Sequence, residues 1–197
     1  MLSYKKIYIL FIVLFFSIGY SYSQTPKSPD FQKQNKKETQ SEILAKQELS
    51  LALDIKKNYP DSAIILGKKS LKYFTQQNNK FQIAAANLIL SQSYNILSQR
   101  EVSKIYLDSS FQISSENNYD SLKAMGYLLY AEYFKTKGEY EKSIEYAHSG
   151  MRLFQKINQI TGVIKAKGIK AQIYQMKGDL EMAETLLKEI INQPYTD

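Results

Sequence analysis

The residue types that most often perform chemistry in proteins are scarce in this sequence of 197 residues. Cysteine is absent and His148 is the only histidine. Thiolate metal sites, cysteine nucleophiles and any site that needs two imidazoles are therefore excluded. No glycine-rich phosphate loop, Gly-x-Ser-x-Gly turn or His-Glu-x-x-His pair occurs. We predict a protein without enzymatic activity, metal or cofactor.

Carboxylates are numerous, and close pairs such as Glu139 with Glu141 and Glu181 with Glu184 could in principle serve acid–base catalysis. Both pairs lie at predicted helix starts, where negative charge offsets the positive end of the helix dipole. We interpret these acids as structural. His148 is predicted to lie at a solvent edge of its helix rather than in a catalytic site.

A period of forty residues organises the rest of the chain. Five sets of positions keep their residue character at this spacing: Asn78, Asn118 and Asn158; Ala63, Ser103, Ser143 and Ala183; Tyr94, Phe134 and Tyr174; Ser91, Ala131 and Ala171; Leu71, Phe111, Met151 and Ile191. The agreement of five independent sets on one period indicates a structural repeat rather than coincidence.

Each repeat has the apolar spacing of helices. Residues of the stretch from Ala63 to Phe74 fall at intervals of three and four, and the stretch from Ser143 to Phe154 is similar. Thr39 with Glu42 forms a predicted capping box, and Asp61 and Asp120 are predicted N-caps. The predicted helices cover residues 39–58, 61–77, 81–98, 101–116, 121–137, 140–156, 160–177 and 180–192.

The small residues predict how these helices pack. Two antiparallel helices joined by a short turn can approach closely only where side chains are small, and larger side chains fill the space between successive pairs. Because no pair buries its apolar face alone, the pairs should stack into an all-α solenoid with a concave side. Tyr106 and Tyr146 could instead form a stacking platform for a ligand, but their spacing equals the repeat period and favours packing.

The first residues have the pattern of an export signal. Lys5 and Lys6 precede an apolar run over residues 7–18, and Ser21 and Ser23 provide small residues for a signal peptidase. We predict a signal peptide over 1–23, cleaved after Ser23, a flexible polar leader over 24–38, and a periplasmic or secreted protein. The alternative is an uncleaved segment that anchors the chain in the inner membrane.

Residues 124–157 resemble a tetratricopeptide repeat. Tyr127 stands at the family's aromatic position early in the first helix, Tyr130 with Ala131 at its Leu-Gly pair, and Phe134 at the Tyr that follows. Gly138-Glu139-Tyr140 matches the family's Gly-Asp-Tyr turn. Ser143 and Gly150 take the two small positions of the second helix. The fourth repeat matches at its Gly178-Asp179 turn and departs at Lys170 and Ile190. The first matches only if its turn at residues 58–60 holds one extra residue.

The resemblance covers about residues 40–192. It implies a right-handed superhelical α-solenoid of about four helix-turn-helix repeats in a domain over 39–193, with units near 44–83, 84–123, 124–163 and 164–193. The family's usual unit has 34 residues, so forty suggests the variant with longer helices. Such arrays occur at the front of envelope sensor proteins, ahead of a histidine-kinase or DNA-binding output.

The resemblance also implies where a ligand would bind. In the family, first helices line a concave groove, and the corresponding positions are Leu88, Gln92, Asn95, Leu128, Glu132, Lys135, Lys165, Gln172, Gln175 and Met176. Amide side chains both donate to and accept from a peptide backbone. The alternative is that these residues only solvate the groove. The carboxylate clamp of chaperone-binding members is not reproduced, which disfavours that mode of recognising an acidic C-terminus.

These observations favour a non-enzymatic scaffold of the cell envelope that binds a protein or peptide. The alternative is a sensory input module of an envelope signalling protein. The net charge of +7 is spread along the chain without a concentrated basic stripe, so no nucleic-acid partner is expected. Because no solvating helix is predicted after Ile191, a homodimer through the uncapped C-terminal repeat is a further possibility.

Overall fold

The computed structural model describes residues 38–192, and these residues form eight helices in sequence. The helices are α1 (Gln40–Ile55), α2 (Pro60–Gln76), α3 (Lys80–Ile96), α4 (Arg100–Glu116), α5 (Asp120–Thr136), α6 (Tyr140–Lys156), α7 (Ile160–Lys177) and α8 (Leu180–Ile191). The predicted all-α class is confirmed, and every helix end lies within three residues of its predicted position. The predicted signal peptide over 1–23 and almost all of the predicted leader lie outside the described residues.

The helices are arranged as an α-solenoid of four pairs. Each helix packs against its neighbours in sequence, and the first helices of successive pairs (α1, α3, α5 and α7) also touch one another. Within the part of the chain that the structure describes, the second helices do not contact one another. The array therefore curves, with the first helices on its concave side. The right-handed sense of the superhelix stays a prediction.

Buried serines hold the two helices of a pair together at their closest approach. The hydroxyl of Ser103 on α4 donates to the carbonyl of Ser91 on α3 at 2.8 Å, and Ser143 on α6 donates to the carbonyl of Ala131 on α5 at 2.6 Å. All four residues are buried. A buried hydroxyl needs such a partner, so the small residues of the sequence pattern supply both the space and the cross-helix bond.

A second serine set shows that the first pair is shifted by one residue. Ser110 on α4 donates to the carbonyl of Ala84 at 2.8 Å, and Ser70 on α2 donates to the carbonyl of Ala45 at 3.0 Å. The serines are forty residues apart, whereas their partners are 39 apart. The turn over residues 56–59 has four residues, whereas each of the five turns that follow it has three. The extra residue predicted for the first turn is thereby confirmed.

Residues in the left-handed backbone region set the lengths of the later helices. They recur every twenty positions at Asn78, Ser98, Asn118, Gly138, Asn158 and Gly178, with φ between 51° and 83°. Asparagine and glycine adopt this region most readily, which explains the asparagine set of the sequence pattern. In each case the next helix begins two residues later, so turn and helix start form one repeated unit.

This geometry corrects two of the predicted helix caps. Asp61 and Asp120 are not N-caps, because their helices begin at Pro60 and at Asp120 itself. Proline is favoured as a first helical residue, and the left-handed Asn118 fixes the start of α5. Thr39 is an N-cap as predicted, since its hydroxyl accepts from the backbone N–H of Glu42 at 3.1 Å.

Apolar clusters cross the boundaries between pairs. One cluster combines Ala45, Phe74 and Ile89, and thus joins α1, α2 and α3. Another combines Leu128, Phe154 and Ile173 of α5, α6 and α7. The core is therefore shared between successive pairs rather than enclosed by one pair. Over residues 38–192, no helix has the length and apolar character needed to cross a membrane.

Two glycines provide a matched test of the turn geometry. Gly138 has a φ of +76°, whereas Gly168 lies inside α7, and an added Cβ would meet no neighbouring atom within 4 Å at either site. Gly138→Ala should lower the free energy of unfolding by about 1–2 kcal/mol, because alanine is strained in the left-handed region. Gly168→Ala should raise it by about 0.5–1 kcal/mol, because glycine weakens a helix interior.

Urea denaturation followed by circular dichroism measures both effects. Since neither site offers a steric clash, the opposite signs would come from the backbone alone. A gain in stability from Gly138→Ala would contradict the left-handed conformation assigned to this turn.

Candidate ligand groove

The concave side of the solenoid contains an open groove of about 640 Å³. Its lining consists only of residues on the first helices and in the turn after α1: Leu53, Lys56, Lys57, Gln92, Asn95, Ile96, Met125, Leu128, Leu129, Glu132, Lys165, Gly168, Ile169 and Gln172. Its volume lies within the range of roughly 300–1,000 Å³ that is usual for ligand sites. All four helix pairs contribute to one continuous surface.

Equivalent positions of the repeats build this surface. The lining residues of the third unit precede those of the fourth by forty positions, and those of the first precede those of the second by 39, as the shifted register requires. The equivalent pairs are Met125 and Lys165, Leu128 and Gly168, Leu129 and Ile169, Glu132 and Gln172, Leu53 and Gln92, Lys56 and Asn95, and Lys57 and Ile96. The groove is therefore a consequence of the repeat.

The structure brings six of the ten predicted groove residues together in this lining: Gln92, Asn95, Leu128, Glu132, Lys165 and Gln172. The other four lie outside it. Leu88 is buried among the helices, with 6% of its surface exposed, while Gln175 and Met176 lie exposed near the end of α7. Lys135 lies beside the groove and contacts two of its lining residues, Glu132 and Gln172. Whether these residues bind a ligand stays a prediction.

The groove residues predicted from the family resemblance did not include those of the first unit, which are Leu53, Lys56 and Lys57. A signal for these residues was present. Because the first turn holds one extra residue, counting back 39 positions from Gln92 and Asn95 leads to Leu53 and Lys56. Counting back forty leads instead to positions that lie outside the lining, so the register shift decides which side chains enter the groove.

Lys135 links two helices at one edge of the groove. Its ammonium lies 2.6 Å from the carboxylate of Glu132 on the same helix. It also donates to the side-chain oxygen of Gln172 on α7 at 2.6 Å. Only 13% of the Lys135 side chain is exposed. The charge of Glu132 is thus neutralised within the wall, and the amide of Gln172 is held in place.

The remaining charged residues of the lining are lysines. Burial lowers the pKa of the Lys56 ammonium below its usual range, and the positive charge of Lys165 lowers it further, while Asp54 offsets part of this effect. Lys56 also donates to the carbonyl of Leu53 at 2.8 Å. Lys56 of the first unit and Lys165 of the fourth both line the groove.

Two further features leave room for a ligand. The side-chain oxygen of Gln92 is buried and has no hydrogen-bond partner, although a buried acceptor normally has one. A rotation of the Gln92 amide would present either its oxygen or its NH₂ group. Gly168 takes the position that Leu128 has in the preceding unit, and no atom lies within 4 Å of where its Cβ would be. The floor of the groove is therefore open at the fourth unit.

Carboxylates considered for catalysis form ion pairs with lysines. Glu141 pairs with Lys177 at 2.8 Å, and Glu184 pairs with Lys188 at 2.7 Å. The hydrogen bonds from these lysines lower the pKa of both carboxyls, whereas a general acid needs a raised pKa. Among residues 38–192, no group of three or more acidic or histidine side chains could hold a metal ion. The Glu141 pair joins α6 to α7, and the Glu184 pair lies within α8.

The aromatic set also belongs to the packing. Tyr94 stacks on Tyr106 with ring centroids 5.4 Å apart, and Phe134 stacks on Tyr146 at 5.2 Å. The same contact thus recurs forty residues later, with the rings within 10° of parallel in both units. Each tyrosine therefore packs on an aromatic ring of its own unit. His148 is exposed on the outer side of α6, as predicted.

Comparisons with known proteins add no assignment. No protein-family model matches this chain, and no curated protein matches it. The role of the groove therefore rests on its own geometry, hydrogen bonding and charge.

The proximity of Lys56 and Lys165 gives a direct test of the curvature. Lys165→Gln should raise the pKa of Lys56 towards its usual range, because one of the two causes of its depression is removed. The pKa should stay below that range, since burial remains. A pH titration of the lysine side-chain carbon signals by NMR measures the shift.

Lys72→Gln serves as the control, because Lys72 is exposed on α2. It should leave the Lys56 titration unchanged. An identical Lys56 titration in the wild type and in Lys165→Gln would mean that α1 and α7 do not face each other across the groove.

Proposed function

We propose that this protein is a non-enzymatic, tetratricopeptide-type scaffold that binds an extended segment of another protein in its concave groove. The observation that carries the proposal is the continuous lining contributed by the first helices of all four units. Solenoids of stacked helix pairs commonly bind their partners on such concave surfaces. The sequence resemblance over residues 40–192 supports the same family.

The character of the lining favours a peptide over a compact metabolite. Exposed apolar side chains such as Leu53 and Ile96 can take up side chains of a ligand. Amides at Gln92, Asn95 and Gln172 can donate to and accept from a peptide backbone. The Lys135 brace holds the wall in place before binding. Affinity would then come from many modest contacts on a preformed surface, with little ordering cost.

The proposed location is the cell envelope. It rests on Lys5 and Lys6, on the apolar run of residues 7–18 and on the small residues that follow. A partner would accordingly be an envelope or secreted protein.

Filling the groove at Gly168 tests the proposed site. A library of random dodecapeptides displayed on phage is selected on the wild-type protein and on Gly168→Leu. The wild type should enrich a family of related peptides, and Gly168→Leu should bind them at least about tenfold more weakly, because the leucine occupies the open floor of the groove. Fluorescence anisotropy with synthetic copies of the enriched peptides measures the affinities.

Gln155→Leu is the matched control, since it adds a leucine at an exposed position of α6 outside the groove. It should leave the affinities unchanged, and thermal unfolding should show that both variants are folded. Peptides that bind Gly168→Leu as tightly as the wild type would exclude the groove as their site.

We also propose that a second copy of the chain covers the outer side of α8. Leu187 is 50% exposed, although its equivalents Leu107 and Ala147 are 2% and 0% exposed beneath the next unit. Ile191 on the same helix is 76% exposed. Within residues 38–192, the last pair thus presents the apolar surface that a further helix covers in the earlier pairs, and two-fold dimers are the commonest way for identical chains to bury such a surface.

Leu187→Glu should therefore convert a dimer into a monomer, because the introduced carboxylates would be buried without partners. Size-exclusion chromatography with light scattering measures the mass. Leu51→Glu, an equally exposed site on α1 at the other end of the array, should leave the dimer intact. A wild-type protein that stays monomeric at high concentration, or a monomeric Leu51→Glu, would contradict an α8 interface.

A further inference from the structure

The charges of the groove are unbalanced. Its lining contains three lysines, Lys56, Lys57 and Lys165, and one acid, Glu132. Glu132 is paired with Lys135. Among the described residues, none of the three lining lysines takes part in an ion pair, although ten ion pairs occur in the same part of the chain. The three lysines of the groove lining are therefore not neutralised by a carboxylate of the described residues, whereas its one acid is neutralised by Lys135.

Two of these lysines come from opposite ends of the array and line the same groove. Lys56 follows α1 in the first unit, whereas Lys165 belongs to α7 in the fourth. Lys56 is partly buried, so its charge is poorly screened by water. Like charges that converge on a partly enclosed space repel each other until an anion enters between them. The free protein carries this repulsion, and an anionic ligand would remove it.

Apolar residues and amides surround the cationic part. Leu53 lies one turn before Lys56, and Ile96 and Met125 continue the apolar surface. The unpartnered side-chain oxygen of Gln92 adds an acceptor for a backbone N–H. A simple inorganic anion would use the lysines alone. A peptide whose acidic side chains are interspersed with apolar ones would use all three features.

We infer that the groove selects extended protein segments rich in aspartate and glutamate, whose side-chain carboxylates are bound by Lys56, Lys57 and Lys165. This inference rests on the proposed peptide-binding function and specifies its ligand. The lysines come from the first and fourth units. They are separate from the positions at which chaperone-binding relatives have their carboxylate clamp, where this chain has Leu88 with Gln92 and Leu128 with Glu132. Recognition by the three lysines therefore does not depend on a free C-terminus.

The composition of the peptides selected from the phage library tests this specificity. On the wild type, the enriched dodecapeptides should contain at least about twice the aspartate and glutamate of the starting library. A triple variant, Lys56→Gln/Lys57→Gln/Lys165→Gln, should lose this bias. It should also bind an enriched acidic peptide about tenfold more weakly, because each exposed ion pair contributes only modestly and three are removed. Lys56→Glu/Lys165→Glu should instead enrich lysine and arginine.

Lys72→Gln/Lys80→Gln/Arg152→Gln is the matched control, because it removes the same number of positive charges from exposed positions outside the groove. It should keep both the acidic bias and the affinity, which separates a local effect from the overall charge of +7. An acidic bias that survives in the groove triple variant, or that vanishes in the control, would overturn the inference.

The remaining outcomes separate the two proposals. Enriched peptides that lose binding in Gly168→Leu but show no acidic bias would overturn the acidic specificity and leave the groove as the binding site. A selection that yields no peptide dependent on the open Gly168 position would overturn the proposed function, and the inferred specificity with it.

Discussion

The close approach of paired helices at buried small residues is the constraint on which the rest of the structure depends. Where Ser103 and Ser143 face the preceding helix, each hydroxyl satisfies its hydrogen-bonding need on a carbonyl of that helix. A larger side chain would separate the helices, and an alanine would leave the carbonyl without this additional donor. The same bond in two successive units gives both pairs the same internal geometry, and identical pairs can stack regularly.

The geometry of the turns places equivalent residues of successive units on one continuous surface. Left-handed residues every twenty positions make successive turns alike and start each helix two residues later. Residues forty apart then fall on the same side of their helices. The repeat register departs from this pattern at the longer turn after α1, which shifts that helix by one residue. That departure carries Lys56 and Lys57 into the groove, so an irregularity of one residue determines part of the groove's charge.

Ion pairing differs between the outer surfaces of the solenoid and its groove. On outer surfaces and between units, acids such as Glu141 and Asp120 pair with lysines of the following unit or of the next helix. In the groove, Lys56, Lys57 and Lys165 have no such partner among the described residues. Convergence of like charges on a concave, partly apolar surface is unfavourable in the free protein and becomes favourable around an anion. The proposed preference for acidic segments follows from that imbalance.

The sequence by itself determined the helices, their pairing and the period, because these depend on neighbours three, four and forty residues away, whose types can be read directly. It also placed Gln92, Asn95, Glu132 and Gln172 on the inner helices. Only the tertiary structure decided which residues meet. Asp61 and Asp120 fell inside their helices because turn geometry sets the helix start, and Lys56 and Lys165 line one groove because the whole array curves. Curvature sums small rotations over four units, and no local pattern of residues specifies that sum.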